Sequence, residues 1–143
     1  MDEDGNPHVF GTDIAEAAER RMTDENGEPI MLTHFPVPIK AFYMKKDAID
    51  SRVTESVDCL VPGVGEVVGS GMPMDDYDSL IEVMKQNQWN LKAYAFYSDQ
   101  RRYGSSPHGG YGMGIERFLT WLLKRHSVRE CVPLPRYPGK CTT

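Results

Sequence analysis

The chain has 143 residues, with 16 lysines and arginines against 21 acids and an apolar share of 40%, which is the composition of one ordinary globular domain. Collagen, coiled coils and wholesale disorder are excluded. No apolar run approaches the roughly 18–20 residues that cross a bilayer, and the first ten residues are acidic where a signal peptide would be basic. We therefore expect a cytosolic protein without membrane contact.

Charge is distributed unevenly along the chain. Residues 1–30 carry nine acids against two arginines, whereas residues 101–143 carry eight basic residues against two acids. A positive C-terminal third suits a partner that carries phosphate groups, and a solvated basic surface is the alternative. The three cysteines include no C-x-x-C pair, so neither a disulfide framework nor a cysteine zinc site is indicated.

The N-terminal part predicts a loop, a helix and two short strands. Residues 1–10 are polar and predict a loop or a frayed segment. Thr12 or Asp13 can cap a helix over 14–22, and an Asn-Gly pair at 26–27 then makes a turn. The two strands are expected at 30–33 and 41–44.

A β-hairpin is predicted in the middle of the chain. Residues 53–61 are β-prone, 62–65 have turn chemistry and 66–69 return along the first strand. A helix follows, capped by Asp76 and ending near Asn87, with one buried stripe. The stripe consists of Leu80, Val83 and Met84.

The C-terminal part predicts two further helices. The aromatic segment 91–103 is ambiguous between strand and helix, and we favour a helix. A loop at 104–109 precedes the strongest helical pattern, in which four apolar residues recur at helical spacing and a basic triplet at 124–126 closes the last turn. The four are Ile115, Phe118, Leu119 and Leu122. The last segment, 131–143, contains three prolines and predicts an extended tail.

Alternate glycines lie between that loop and that helix. Successive side chains of an extended chain alternate faces, so Gly110, Gly112 and Gly114 leave one face bare. A flat ligand could lie on this backbone, and Arg117 in the first helical turn could stack on a ring and bind a phosphate. Close passage of another backbone is the alternative. His108 is placed to touch a ligand, or it is an ordinary loop histidine.

Two acids of the predicted hairpin form a second candidate site. With a loop over 61–65, Leu60 would pair with Glu66. Asp58 would then pair with Val68, so that Asp58 and Glu66 are diagonal neighbours on one face. Mg²⁺ bridging nucleotide phosphates would relieve their repulsion, because it needs only one or two protein carboxylates. A solvated hairpin face is the alternative.

Several segments resemble the class II aminoacyl-tRNA synthetases. The string PHGGYGMGIERF at 107–118 resembles motif 3 of that class, in the form of the asparaginyl and aspartyl subgroup. Further segments resemble eukaryotic-type asparaginyl-tRNA synthetases: IKAFYM (39–44), TESVD (54–58), VGEVVG (64–69), DQRRYG (99–104) and PRY (135–137). The likeness runs from about Gly11 to the end. It identifies residues 1–143 as the C-terminal half of a catalytic domain.

The resemblance implies an α+β fold, with an antiparallel sheet and flanking helices, and it implies site roles. ATP and Mg²⁺ would be the cofactors, and Asp58 and Glu66 would serve the metal. Arg117 would be the catalytic residue, packed on the adenine and in contact with the γ-phosphate, and Gly69 and Ser70 would contact the substrate. Residues expected at the ATP besides Arg117 are Glu66, His108, Gly110, Gly112, Gly114, Ile115 and Glu116.

The implied activity is ligation of asparagine to its tRNA through an asparaginyl-adenylate, by a homodimeric cytoplasmic enzyme that contacts neither DNA nor membrane. Two departures from the family pattern stand out. These residues contain no counterpart of motif 1, motif 2 or the anticodon-binding barrel, so we expect the chain alone to be inactive. Pro73 stands seven residues beyond Glu66, where the family has an arginine that holds the amino acid. A non-catalytic nucleotide-binding module and an aspartate-to-asparagine ligase on the same fold are the alternatives.

Overall fold

The computed structural model describes residues 7–139; the first six residues of the predicted N-terminal loop, and Cys141, lie outside this range. Its elements are α1 (Glu16–Asn26), β1 (Ile30–Thr33), a 3-10 turn (Val37–Ile39), β2 (Ser56–Val61), β3 (Gly65–Gly71), α2 (Tyr77–Gln86), α3 (Ala95–Arg102), β4 (Gly110–Met113), α4 (Ile115–Leu122) and a second 3-10 turn (Val128–Cys131). The strands form one antiparallel sheet in the order β1-β2-β3-β4. This confirms the predicted antiparallel sheet with flanking helices. Within the described range no helix combines the length and the apolar character that crossing a membrane would need.

Helix α1 begins later than the predicted 14–22. Its N-cap is Ala15, which makes no side-chain cap. The two expected caps are used locally: the Thr12 hydroxyl donates to the Val9 carbonyl at 2.7 Å, and the Asp13 carboxylate accepts from the next backbone N–H at 3.0 Å. Residues that can cap a helix also compete for local turns, and here the turns form.

The same helix also ends later than predicted, because its last turns pack on the β2–β3 hairpin. Thr23 is fully buried, with its hydroxyl 3.4 Å from the Val61 carbonyl. Asp24 accepts a hydrogen bond of 2.6 Å from the Gly63 N–H at the hairpin tip. The helix stops at Gly27, whose φ of 72° suits glycine. Tertiary contact therefore extends the helix through a polar run that would otherwise end it.

The hairpin forms as predicted in outline but with a different register. Leu60 lies opposite Glu66, as predicted, whereas Asp58 lies opposite Gly69 and not Val68. The register shifts at Leu60, where β3 carries one extra residue, Val67. Such a bulge leaves no trace in the alternation of side chains from which a register is predicted.

The hairpin strands also differ in extent from the prediction. β2 begins at Ser56, since Val53 and Thr54 make only isolated bridges with Pro36 and Lys46. β3 runs two residues further than expected, because Ser70 and Gly71 pair with both β2 and β4. That pairing puts β3 in the interior of the sheet.

Residues 41–44 do not form the predicted strand. Met44 makes a single bridge with Pro73, and Phe42 and Tyr43 join an aromatic cluster in which Phe42 stacks on Trp89 at 4.8 Å between ring centres. The apolar run therefore reflects burial against side chains and not strand pairing.

Helix α2 agrees with the prediction. Asp76 caps it by accepting from the Ser79 N–H at 2.8 Å, and Leu80 and Met84 are fully buried. Helix α3 confirms the helical reading of 91–103 only over residues 95–102, since turns occupy the first four residues and Tyr103 is the C-cap.

Helix α4 is shorter than predicted and its apolar stripe is partly uncovered. It ends at Leu122, and Lys124 has a positive φ of 51°, so the basic triplet follows the helix and does not close it. Phe118 packs on a small core of Val61, Val64 and Val67. Two other members of the stripe remain in solvent: Ile115 is 58% exposed and Leu122 59%.

One side of the sheet is apolar and open, and we call it the open apolar face. Residues that lie directly opposite one another share this face across all four strands. Its apolar members are Met31, Val57, Cys59, Val68, Tyr111 and Met113. Met31 is 64% exposed and Tyr111 77%. Apolar surface that crosses a whole sheet favours association with other protein surface.

We expect the isolated 143-residue chain to self-associate through this face and to be marginally stable. Met31→Lys should raise the monomer fraction severalfold, because burying one methionine contributes about 1.5–3 kcal/mol. Sedimentation velocity over a concentration series measures the change. Ile49→Lys is the matched control, since Ile49 is 98% exposed and lies outside the face. A monomeric wild-type chain with a cooperative, concentration-independent thermal transition would contradict this expectation.

Candidate functional site

The alternate glycines lie on the opposite side of the sheet, which we call the carboxylate face. Gly112 lies opposite Gly69, and Gly110 lies opposite Gly71. A Cβ built on Gly110 or Gly112 would meet no atom within 4 Å. The glycine strand therefore presents open backbone against which a flat ring can lie.

Both hairpin carboxylates approach one point on this face. A Cβ at Gly69 would stand 2.6 Å from Oε1 of Glu66 and 3.5 Å from Oδ1 of Asp58. In a regular strand, residues 66 and 69 would face opposite sides. The extra residue Val67 restores Glu66 to the side of Asp58. The bulge and the missing side chain of Gly69 thus bring the two acids together.

A lysine already neutralises one of the acids. Lys40 Nζ lies 2.7 Å from Oδ2 of Asp58, and it also lies 3.6 Å from the ring centre of Phe35. Asp58 and Phe35 are buried, and the Lys40 side chain is 21% exposed. The ion pair is therefore partly shielded from water, which makes it stronger than a surface pair.

Glu19 on α1 adds a further negative group near the same acids. Burial raises the pKa of its carboxyl above the ordinary 4.5, and the negative charges of Glu66 and Asp58 raise it further. Repulsion from these acids means that the single ammonium of Lys40 leaves excess negative charge on the carboxylate face.

Arg117 lies at the other end of this arrangement. Gly114 is the N-cap of α4 and donates its N–H to the Val67 carbonyl at 3.0 Å, which joins the start of the helix to β3. The Arg117 stem lies over Gly114, where a Cβ would be 3.3 Å away. Its Nη1 donates to the backbone carbonyl of Glu66 at 2.6 Å. The guanidinium is therefore fixed beside the residue that carries the second carboxylate.

His108 turns toward a buried arginine. Its Nε2 lies 3.4 Å from Nη2 of Arg101, and its Nδ1 lies 2.9 Å from the Ser106 carbonyl. The tautomer with its proton on Nδ1 satisfies both contacts. Arg101 also donates to the Met74 carbonyl at 3.0 Å, so this loop is tied to the chain that follows β3.

The remaining candidates do not all lie on the carboxylate face. The Ser70 side chain is on the open apolar face, where its hydroxyl donates to the Val57 carbonyl at 2.6 Å, so only its backbone can serve the other side. Ile115 and Glu116 occupy the first turn of α4, next to the glycine strand. The structure thus groups Asp58, Glu66, Gly69, Gly110, Gly112, Gly114 and Arg117, and it sets the side chain of Ser70 apart.

Sequence reasoning assigned no role to Lys40 or Glu19. Lys40 lies in one of the segments that carry the family resemblance, yet no spacing rule links it to an acid 18 residues away. Glu19 reads as an ordinary helix residue, because its charge sits in an acidic helix that only the fold brings to the hairpin.

Replacing Glu19 tests the electrostatics of this face. A folded-state pKa above the ordinary value means that the ionised carboxylate destabilises the native chain at neutral pH, and that this cost fades as the pH falls through the raised pKa. Glu19→Gln should therefore gain about 0.5 kcal/mol at pH 7, the size of a partly exposed charge interaction.

Denaturant unfolding of wild type and variant, at pH 7 and near the ordinary carboxyl pKa of 4.5, measures the difference. Glu28→Gln, at an exposed loop position, is the control and should change little at either pH. A Glu19→Gln variant less stable than wild type at pH 7 would show that the carboxylate makes a favourable contact.

Comparison with known proteins identifies close relatives. The family of tRNA synthetases class II (D, K and N) matches residues 9–138. Cytoplasmic asparagine–tRNA ligase of Saccharomyces cerevisiae is 55% identical over 139 residues, which is 97% of this chain and 25% of that protein. The corresponding protein of Homo sapiens is 51% identical over 140 residues, covering 98% and 26%.

A solved structure has the same fold. Entamoeba histolytica asparaginyl-tRNA synthetase in complex with asparaginyl-adenylate matches with a TM-score of 0.95 and 48% identity, over 100% of this chain and 33% of that one. The chain therefore spans about a quarter of the length of the curated relatives and a third of the solved one. A family match over nearly all of the sequence, carried by the same fold, makes this chain a member of the class II tRNA synthetases of the D, K and N group.

Proposed function

We propose that the chain supplies the ATP-binding part of an asparagine–tRNA ligase. The observation that carries this proposal is that open glycine backbone, a fixed arginine and two carboxylates share one side of the sheet. The relatives named as asparagine–tRNA ligases support the choice of amino acid and of a cytoplasmic location. The partners would be asparagine and its tRNA, and the complete enzyme would be a homodimer.

In the proposed reaction, a carboxylate oxygen of asparagine attacks the α-phosphorus of ATP and pyrophosphate leaves. The resulting asparaginyl-adenylate then esterifies the terminal ribose of the tRNA and releases AMP. Arg117 would stack its guanidinium on the adenine and neutralise phosphate charge. Fixing the ring on Gly110 and Gly112 would orient the phosphates, and orientation with charge neutralisation carries most of the acceleration in such chemistry.

Asp58 and Glu66 would hold Mg²⁺. They offer the hard carboxylate oxygens that this ion prefers, and the space over Gly69 that a Cβ would fill separates them. The Lys40 ammonium stands in for a cation at Asp58. Bound Mg²⁺ would neutralise the charge on the phosphates. Residues 7–139 contain no cluster of three or more metal-ligating side chains. Phosphate and water oxygens would complete the coordination.

Pro73 favours a second candidate, a non-catalytic nucleotide-binding module. Proline offers neither a positive charge nor an N–H donor for the carboxylate of an amino acid. Met44, which bridges to Pro73, also lies with its sulfur 2.7 Å from the Cβ position of Gly71. This end of the carboxylate face is consequently apolar.

A chimera separates the two candidates. Residues 9–138 would replace the matching segment of the Saccharomyces cerevisiae asparagine–tRNA ligase, and asparagine-dependent ATP–pyrophosphate exchange would be measured with and without Pro73→Arg. We expect exchange from the chimera itself. Exchange only after Pro73→Arg would favour the non-catalytic module, and no exchange from either protein would contradict the proposed function.

Within an active chimera, Arg117→Ala should lower kcat/KM for ATP by about 10²–10³, because an oriented cation at a developing charge contributes a few kcal/mol. The KM for asparagine should change much less. Arg102→Ala is the control, since Arg102 is exposed and its guanidinium lies 5.7 Å from the Tyr103 ring centre. Equal effects of the two substitutions would remove Arg117 from the nucleotide site.

The 143-residue chain alone should not catalyse this exchange. It contains no counterpart of the motif 2 arginine, and each missing electrostatic contact of that kind costs about 10²–10³ in rate. Incorporation of radiolabelled pyrophosphate into ATP measures the exchange. Asparagine-dependent incorporation above a no-enzyme background would refute the expectation.

A further inference from the structure

The backbone of Lys40 is held by hydrogen bonds, whereas its side chain has a long stem with several rotatable bonds. Its N–H donates to the Val37 carbonyl at 3.3 Å at the end of a 3-10 turn, and the Val37 N–H donates to the Arg52 carbonyl at 2.9 Å. Pro36 and Pro38 restrict the same turn. The ammonium, by contrast, sits on a flexible four-carbon stem. Lys40 can therefore keep its position in the fold while its charge moves.

The two oxygens of Asp58 have different neighbours. Oδ1 faces the space over Gly69 that Glu66 also approaches, and Oδ2 accepts the hydrogen bond from Lys40. A cation placed between the two acids would lie next to the Lys40 ammonium. Two positive groups a few ångströms apart in a partly dry site repel each other more strongly than they would in water.

We propose that Lys40 competes with divalent metal for Asp58, so that the carboxylate face binds the free ion weakly and takes it up together with a polyphosphate. The proposal rests on the proposed function, since it assumes that Asp58 and Glu66 hold Mg²⁺. A nucleoside triphosphate carries four negative charges. When it binds, the metal and the Lys40 ammonium both face anions, which offsets the repulsion between them. Lys40 thereby makes metal binding depend on nucleotide binding.

The charges around the site agree with this role. Asp58, Glu66 and the repelled Glu19 carry three negative charges on this face, against two positive charges on Lys40 and Arg117. Without Lys40, two carboxylates on one spot would attract any divalent ion in the cytoplasm. With Lys40, one carboxylate is already paired when no nucleotide is present.

Mn²⁺ binding to the 143-residue chain, followed by electron paramagnetic resonance without nucleotide, tests the proposal. Lys40→Met should bind Mn²⁺ at least about tenfold more tightly than wild type, because the repulsive charge is gone. Lys45→Met is the matched control, because Lys45 Nζ lies 3.4 Å from Oδ1 of Asp75 and pairs with neither Asp58 nor Glu66 in the described contacts. This variant should bind Mn²⁺ as tightly as wild type. Glu66→Gln in the Lys40→Met chain should abolish the gain.

Unchanged or weaker Mn²⁺ binding by Lys40→Met would overturn the proposal and make Lys40 a residue that merely orients Asp58. If circular dichroism shows that Lys40→Met does not fold, NMR of the wild-type chain with ¹³C-methylated lysines provides the test. Adding Mn²⁺ with ATP must then broaden the Lys40 signal far more than Mn²⁺ alone, and equal broadening overturns the proposal. Exchange by the chimera tests the proposed function separately, so the two can fail independently.

Discussion

The close approach of Glu66 to Gly69 determines the geometry of the carboxylate face. Oε1 of Glu66 occupies space 2.6 Å from where a Cβ would stand, a distance that a real Cβ does not tolerate. Glycine at this one position, together with the bulge at Val67, lets a carboxylate from β3 lie beside the buried Asp58 of β2. Lys40, Glu19 and Arg117 are arranged around that pair, so their roles depend on it.

Two cations of the carboxylate face, Arg117 and Lys40, are held by different kinds of contact. Arg117 is fixed by a hydrogen bond to a backbone carbonyl, which leaves its charge free of any carboxylate within the described contacts. The charge of Lys40 is paired with that of Asp58. The two cations thus differ in kind: one is available to an incoming anion at all times, and the other becomes available only when Asp58 takes another partner. The proposed ATP-binding surface would benefit from both, because its ligands would bring negative charge and metal together.

Local chemistry predicted much of this architecture. The glycine alternation gave the bare face of β4, turn residues located the hairpin, and Asp76 marked the start of α2. Tertiary contacts decided what local patterns could not. Burial of Thr23 against the hairpin lengthened α1, and pairing with both β2 and β4 lengthened β3.

At the candidate site, too, the structure departs from the sequence-based prediction where the folded chain, and not local sequence, decides the geometry. A single inserted residue at Val67 shifts Asp58 from Val68 to Gly69, and no periodicity reveals it beforehand. Ser70 shows the strict alternation of a strand: it neighbours Gly69, so its side chain must face the other way. Lys40 reaches Asp58 from a turn 18 residues earlier, a contact that exists only once the chain has folded. Motifs located the candidate segments, and the fold determined which of their side chains meet.

The Mn²⁺ affinity of Gly69→Ala, measured by water proton relaxation against Gly112→Ala, tests whether Asp58 and Glu66 form one metal site over Gly69. Alanine at 69 must push the Glu66 carboxylate away from Asp58, a movement of a flexible side chain that should cost little stability, whereas alanine at 112 meets no atom within 4 Å. We expect at least about tenfold weaker Mn²⁺ binding for Gly69→Ala, the loss typical of a disturbed metal ligand, and wild-type affinity for Gly112→Ala. Equal affinity in all three proteins would contradict a site built on the two carboxylates over Gly69.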